Sequence, residues 1–365
     1  MMLISRLSIL PDGNPAYNLR IGGHDGETLG KLMESSGNRK LEAVELETAA
    51  GKIIRISGEM QEIKSLFDGS GFRVQLREEF ESACRNYSLD SSVHFITRYR
   101  RKGSLKTLIM GILNVTPDSF SDGGKYYEED SAVNRAIEMA AEGADLIDIG
   151  GESTRPGAAP VDEAEELRRI VGVITRTSSG SDIPVSVDTM KPGVARAALE
   201  SGARIVNDVT GLASEGMRQL VAESGCDAVI MHMKGSPRTM QQSPVYGDVV
   251  YEVGSFLSGR VELCMRSGID RGRLMVDPGI GFGKTLEHNL QLLRELDAFR
   301  SIGCPVLLGA SRKSFISKIA GRDGSRLEGS IAAALAGYQR GACVLRVHDV
   351  KETRRALSVM ESIDG

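Results

Sequence analysis

From Leu105 onward the chain alternates short apolar runs with amphipathic helical stretches, and this alternation limits its fold more than any other feature. The apolar runs are 107–115, 145–149, 184–187, 204–209, 228–232, 274–276, 305–308 and 343–347. Their β-branched and Leu-rich character suits strands covered on both faces. Between them, residues 132–142, 194–201, 249–266, 286–299 and 327–340 carry helical periodicity. Many helical stretches end at glycine: Gly143, Gly202, Gly225, Gly268, Gly303 and Gly341. Gly accepts the left-handed conformation of a helix C-terminus, which accounts for part of the 42 Gly in the chain. Eight strand–helix units in about 260 residues predict an α/β protein with a (β/α)8 TIM barrel. The alternative is an open doubly wound sheet, but no GxGxxG follows any of the runs.

Residues 1–104 differ in pattern and predict a small α+β N-terminal domain ahead of a barrel domain at 105–365. Runs at 43–46, 53–56 and 72–76 alternate apolar and polar residues, as strands do. Stretches at 27–35 and 61–67 suggest short helices. The basic tract Arg98-Tyr99-Arg100-Arg101-Lys102 fits a solvated linker better than a nucleic-acid contact, because no wider basic patch accompanies it. No chemical motif appears in this region.

Composition removes several function classes. Lys and Arg number 45 against 49 Asp and Glu, a net charge of −4, which argues against an electrostatic nucleic-acid or membrane-surface binder. Trp is absent and aromatics are 5%, so a base-stacking platform is not expected. The five Cys are scattered with no CxxC, which predicts reduced thiols in a cytoplasmic protein. No apolar run approaches a membrane span, and the N-terminus lacks a cleavable-leader pattern.

In such a barrel the active site lies at the C-terminal ends of the strands. Every run here delivers polar residues there: Asn114; Asp148 and the Gly150–Gly157 loop; Asp188; Asn207 and Asp208; Met231-His232; Asp277; Ser311–Ser314; and Arg346 to Asp349. A single such residue could merely tie down a loop, and Asp188 could cap the helix near Pro192. Eight of eight point to a cleft. Carboxylates that accept paired N–H donors suit a heterocycle with an amidine-like edge, such as a pterin or purine. Lys313 and an Asn supply the complementary donors. Arg155, Arg346 and His348 suggest an anion site, with Arg346 and His348 on one strand face. A structural hydrogen bond is the other reading of His348. Asn114 and Asp122 offer oxygens suited to Mg²⁺ beside a pyrophosphate, although the 114–124 loop could be only a turn rich in Asx and Gly. Gly281-Phe282-Gly283-Lys284-Thr285 fails the phosphate-loop spacing, since position 278 is Pro.

The segments LIMGILNVTPDSFSDGG, DLIDIGGESTRPGA, PVSVDTMKPGVA, IVNDVTG, HMKGSPRTMQ, MVDPGIGFGKT, SRKSFI and VLRVHDV now stand in one order. With them, residues from about 105 to 362 resemble the dihydropteroate synthase family. The resemblance implies a transferase of folate biosynthesis that joins 4-aminobenzoate to 6-hydroxymethyl-7,8-dihydropterin diphosphate and releases pyrophosphate. It implies that Asp188, Asn207, Asp277 and Lys313 hold the pterin, with Met231 and Phe282 packing nearby. It assigns Asn114, Arg155, Arg346 and His348 to the pyrophosphate, and Asn114 with Asp122 to Mg²⁺. It places Phe120, Thr154, Pro156 and Ser314 in the aminobenzoate pocket. Family members are usually homodimers through late barrel helices, and residues 327–338 could serve that contact. A pterin-dependent methyltransferase on the same barrel is the alternative, but it would not need the Arg346/His348 pair. A non-catalytic pterin-binding protein is the third reading. The resemblance says nothing about the first hundred residues.

Overall fold

A computed structural model describes residues 1–9, 15–37, 41–49, 51–68, 72, 74–88, 93–99, 107–116, 125–153, 158–236, 239–321 and 326–364. Eight parallel strands form the barrel: β5 (Leu108–Asn114), β6 (Leu146–Gly150), β7 (Val185–Asp188), β8 (Ile205–Asp208), β9 (Asp227–Met231), β10 (Leu274–Asp277), β11 (Leu307–Leu308) and β12 (Val344–Val347). Each of the eight expected runs overlaps one of them. The hydrogen-bonded order is β10-β9-β8-β7-β6-β5-β12-β11. An isolated parallel bridge between Val276 and Val306 joins the two ends.

The helices are α5 (Lys125–Glu142), α6 (Glu163–Gly180), α7 (Pro192–Glu200), α8 (Glu215–Ser224), α9 (Val249–Arg266), α10 (Leu286–Arg294), α11 (Ser314–Ala320), α12 (Arg326–Gln339) and α13 (Val350–Asp364), and α5, α7, α9, α10 and α12 overlap the five predicted stretches. All six predicted terminal glycines have positive φ. Gly225 shows the reason: at φ 66° its N–H reaches the Val221 carbonyl and closes α8. One expectation needs correction. The stretch 286–299 is not one helix but α10 followed by a 3-10 segment, Leu296–Ile302. Glu295, between them, leaves helical geometry with its carboxylate held by Arg20, Ser5 and Asn18 of the N-terminal region.

Strand alternation creates two layers inside the barrel. Leu108, Met110, Leu146, Ile205, Val229, Met275, Leu307 and Val344 form the apolar lower layer. Two residues further along several of these strands, the inward positions become polar: Asp148 after Leu146, Asn207 after Ile205, Asp277 after Met275, and Arg346 after Val344. The outer positions, such as Ile109, Ile147, Val206, Ile230 and Leu345, are buried against the helices.

The N-terminal region holds an antiparallel sheet in the order β1-β2-β4-β3, built from β1 (Met2–Ile9), β2 (Pro15–Gly22), β3 (Glu42–Thr48) and β4 (Gly51–Glu59). The helices are α1 (Gly26–Gly37), α2 (Met60–Phe67), α3 (Val74–Ser88) and α4 (Val93–Tyr99). Within the predicted strand at 72–76, residues 74–76 are instead the start of α3. Leu76, Phe80 and Ala83 are buried at helical spacing, and that longer period outweighs the local alternation. The β1–β2 hairpin was not anticipated, because its polar members Ser5, Asn18 and Arg20 face the barrel rather than water.

The basic tract also departs from a solvated linker in its described part. Tyr99 is buried, and its hydroxyl donates to Asp227 Oδ2 at 2.6 Å. Arg98 pairs with the other carboxylate oxygen of Asp227. Phe95 and Tyr99 pack with the lower layer, so α4 stoppers the end of the barrel opposite the polar residues. Residues 100–102 lie outside the described residues.

Candidate active site

The polar layer is organised around Arg346. Its Nε donates to Asp148 Oδ2 at 2.6 Å and its Nη2 to Asp188 Oδ2 at 2.7 Å. Asn207 Nδ2 donates to the same Asp148 oxygen at 3.0 Å. Side chains from β12, β6, β7 and β8 thus form one lattice, and the planar fork of Arg suits two separate carboxylates. Asp188 does not cap α7; Lys191 holds that position without a side-chain cap bond. Burial pushes the Asp188 carboxyl upward, with Asp148 and Glu166 reinforcing the shift and Arg346 opposing it. A buried carboxylate in this state gains from a cationic or N–H-rich ligand.

Asp277 sits on the far wall. Its Oδ1 accepts the Gly279 N–H at 2.7 Å, and Oδ2 lies toward Gly309. Burial raises its pKa, while the Gly279 N–H, Lys313 and Arg346 lower it. The Lys313 ammonium lies 4.0 Å from the centroid of the Phe282 ring. Phe282 rides on the turn Gly279–Thr285, where Gly279 and Gly283 both have φ 67°. An added Cβ at Gly279 would overlap the His232 carbonyl. Lys284 points inward: its Nζ lies 2.9 Å from His232 Nδ1, 2.9 Å from Gly279 O and 3.0 Å from Phe282 O. That lysine ties two loops together, which agrees with rejecting a phosphate loop.

His348 is half-buried on β12's continuation. Its amide donates to Ser311 Oγ at 3.2 Å, and its Nδ1 lies 3.1 Å from the same oxygen. If the Ser311 hydroxyl donates to Nδ1, the ring proton sits on Nε2. Burial, Arg346 and Arg312 pull the imidazole down to about 4, so it is neutral at neutral pH. Asn114 ends β5 opposite Gly150, and Ser314 opens α11. Met231 ends β9 and is buried. The expected Phe120, Asp122, Thr154, Arg155 and Pro156 lie outside the described residues.

Two of the strand-end polar residues, Asp148 and Ser311, had no role assigned in the expected site. Asp148 is fully buried and anchors both Arg346 and Asn207, while its Oδ1 has no partner among the described residues. A carboxylate at the centre of the apolar run 145–149 was the available signal. Ser311 carried the same strand-end signal, but nothing in the sequence joined it to His348, which it fixes. A groove of about 650 Å³ lined by Arg98, Tyr99, Asp227 and Arg273 lies at the stoppered end and is remote from this chemistry.

Comparison with known proteins decides the family. A family model described as pterin binding enzyme matches residues 110–348. The dihydropteroate synthase of Escherichia coli K12 is 46% identical over 255 residues, which is 70% of this chain and 90% of that protein. This chain belongs to the dihydropteroate synthase family. The synthase of Haemophilus influenzae is 45% identical over 255 residues, 70% of this chain and 93% of that protein. A synthase of Xanthomonas albilineans solved with 4-aminobenzoic acid superposes with a TM-score of 0.68 at 48% identity, covering 71% of this chain and 94% of that one. The same organism's enzyme in complex with 7,8-dihydropteroate gives a TM-score of 0.66 at 45% identity, with the same coverage of both chains. The matched family region begins at residue 110, so the N-terminal sheet and its helices lie outside it.

Proposed function

We infer that the chain catalyses the dihydropteroate synthase reaction. It joins 4-aminobenzoate to 6-hydroxymethyl-7,8-dihydropterin diphosphate, forming 7,8-dihydropteroate and pyrophosphate. The observation that carries this reading is the Asp148–Arg346–Asp188–Asn207 lattice facing Asp277 and Lys313 at the open end of a synthase-type barrel. A pterin-dependent methyltransferase has no such support among the relatives.

In this reading Asp188, Asn207 and Asp277 accept and donate to the pterin edge, while Met231, Phe282 and Lys313 line its faces. Breaking the methylene C–O bond sends an electron pair to pyrophosphate and leaves positive charge on the methylene and ring. Asp188 and Asp277, whose pKa values burial raises, gain from that positive charge and stabilise it through ring N–H groups. The lone pair of the aminobenzoate amine then forms the C–N bond, and a proton leaves the nitrogen. No strong base is needed. Arg346 uses Nε and Nη2 on carboxylates, and its Nη1 makes no bond among the described residues. That edge, with His348 Nε2–H, is suited to a departing phosphate oxygen. Arg155, Phe120, Thr154, Pro156 and Ser314 complete the diphosphate and aminobenzoate contacts in this assignment.

A Mg²⁺ ion would neutralise the leaving pyrophosphate. Among the described residues no group of three or more His, Cys, Asp and Glu side chains could hold a metal ion alone. The amide oxygen of Asn114 fits an ion held mainly by phosphate oxygens and water, with Asp122 as the second protein donor.

A homodimer and a cytoplasmic setting belong to the same proposal. The exposed Val359 and Ile363 on α13 and Ile319 on α11 give apolar surface beside α12. The glycines of α12 are used within the chain, since a Cβ at Gly337 would overlap Leu308. All five Cys are free thiols, in keeping with a reducing compartment. No helix among the described residues is long and apolar enough to cross a membrane.

The test is pyrophosphate release from the pterin diphosphate with and without 4-aminobenzoate. Release that depends on the amine supports the synthase; release indifferent to it contradicts the reading.

A further inference from the structure

We propose that the N-terminal domain is a positioning element for the pterin side of the active site, acting through Gly247 and Asp248. The inference rests on the pterin lying beside Asp277, Phe282 and Lys313, as argued above.

The domain is fastened to the helices that follow two site-bearing strands. Arg20 is completely buried, with Nε donating to Asp248 Oδ2 at 2.8 Å and Nη1 and Nη2 donating to Glu295 at 2.7 and 3.0 Å. Asp248 is also the N-cap of α9, accepting the Tyr251 N–H at 2.9 Å. It therefore closes the 232–248 loop that leaves β9. The β3–β4 turn rests on the preceding residue. A Cβ at Gly247 would overlap the Glu47 carbonyl and crowd the Thr48 Cα.

From Gly247 the contacts run directly to the pterin wall. Tyr246 Oη donates to Gly283 O at 2.8 Å, and its ring stacks edge-on against His288 with centroids 4.9 Å apart. Gln241 Nε2 donates to Gly281 O at 2.6 Å. Gly281 and Gly283 flank Phe282, whose ring carries the Lys313 ammonium. The loop after β10 thus has its outer side fixed by the loop after β9, and that loop is fixed by the N-terminal domain. The aminobenzoate-side residue Ser314 and the β5 and β6 loop ends lie outside this chain of contacts. Displacing the turn at Glu47 should disturb pterin binding selectively.

Gly247→Ala tests this in the full-length protein, because Gly247 has an ordinary negative-φ backbone that Ala can adopt. Tyr87→Phe is the companion. It removes a 2.6 Å bond to Asp297 elsewhere on the domain interface. Binding of 6-hydroxymethyl-7,8-dihydropterin diphosphate is measured by calorimetry, alongside KM for each substrate and thermal melting. Gly247→Ala is expected to weaken pterin diphosphate binding at least fivefold and to leave the 4-aminobenzoate KM within twofold. Tyr87→Phe is expected to lower the melting temperature and leave both KM values unchanged. Unaltered pterin binding in Gly247→Ala, or equal rises in both KM values, overturns the proposal. Failure of the wild-type protein to bind the pterin diphosphate strikes the functional reading instead.

Discussion

Asp188 shows how one side chain carries both cost and use. Burial, with Asp148 and Glu166 nearby, pushes its carboxyl up to about 7, while the bond from Arg346 favours the charged form. Charge developing on a bound dihydropterin would relieve that cost. Asp188→Asn keeps the shape and loses the charge, so turnover should fall by about 10²–10³-fold, on the scale of losing one preorganised electrostatic contact. Steady-state kinetics check this, and near-normal turnover contradicts it. His232 gives a prediction about pH. Burial, then Lys284, pulls its imidazole down to about 2, against an unfolded value near 6.5. A depressed folded pKa contributes stability that is present above about pH 6.5 and is lost as pH falls. The loss should approach about 1.4 kcal/mol per pH unit below that point. Urea unfolding of wild type and His232→Asn from pH 7.5 to 5 measures it, and parallel curves refute it. Asp188, Asn207, Asp277 and Arg346 were legible as strand-end polar residues. The bond from Arg346 to Asp148 was not, because nothing local in a sequence joins residues 148 and 346.

At the scale of elements, the eight barrel runs were legible because two-sided burial writes short β-branched stretches between helices that end in glycine. Strand ends moved by at most two residues, since the C-terminal polar residue of a run pairs or turns according to its neighbours. The N-terminal elements were harder to read. The 72–76 alternation was too short to outweigh the helical spacing of Leu76, Phe80 and Ala83. The α4 stopper was hidden by its basic neighbours, because Tyr99, which packs with Phe95, is the buried member of a tract that looks solvated. Its packing yields a prediction. Phe95→Ala should destabilise the fold by about 3–5 kcal/mol through an unfilled site under the lower layer. The KM values should not move, because the polar layer lies beyond it. Denaturant unfolding and substrate titration separate the two effects; an unchanged midpoint or a shifted pterin KM contradicts this placement.

The whole molecule is a barrel with a second sheet joined to it through buried charge. Arg20 with Asp248 and Glu295 is the clearest mark of that union. Burial alone would raise the Glu295 pKa, but Arg20, Ser5 and Asn18 hold it below the ordinary carboxylate range. Removing one partner of such a buried set leaves an uncompensated charge. Arg20→Met should therefore cost about 3–5 kcal/mol of stability, read by chemical denaturation. A loss below 1 kcal/mol would mean the set is hydrated in solution. No sequence pattern announced this joint, since its members lie more than 200 residues apart in the chain. The central claim concerns what the joined molecule makes. The most direct measurement is to quantify 7,8-dihydropteroate and pyrophosphate together, in one reaction supplied with pterin diphosphate and 4-aminobenzoate. The account predicts equal molar amounts of both, and neither when 4-aminobenzoate is omitted. Pyrophosphate without dihydropteroate, or no product at all from folded protein, would contradict it.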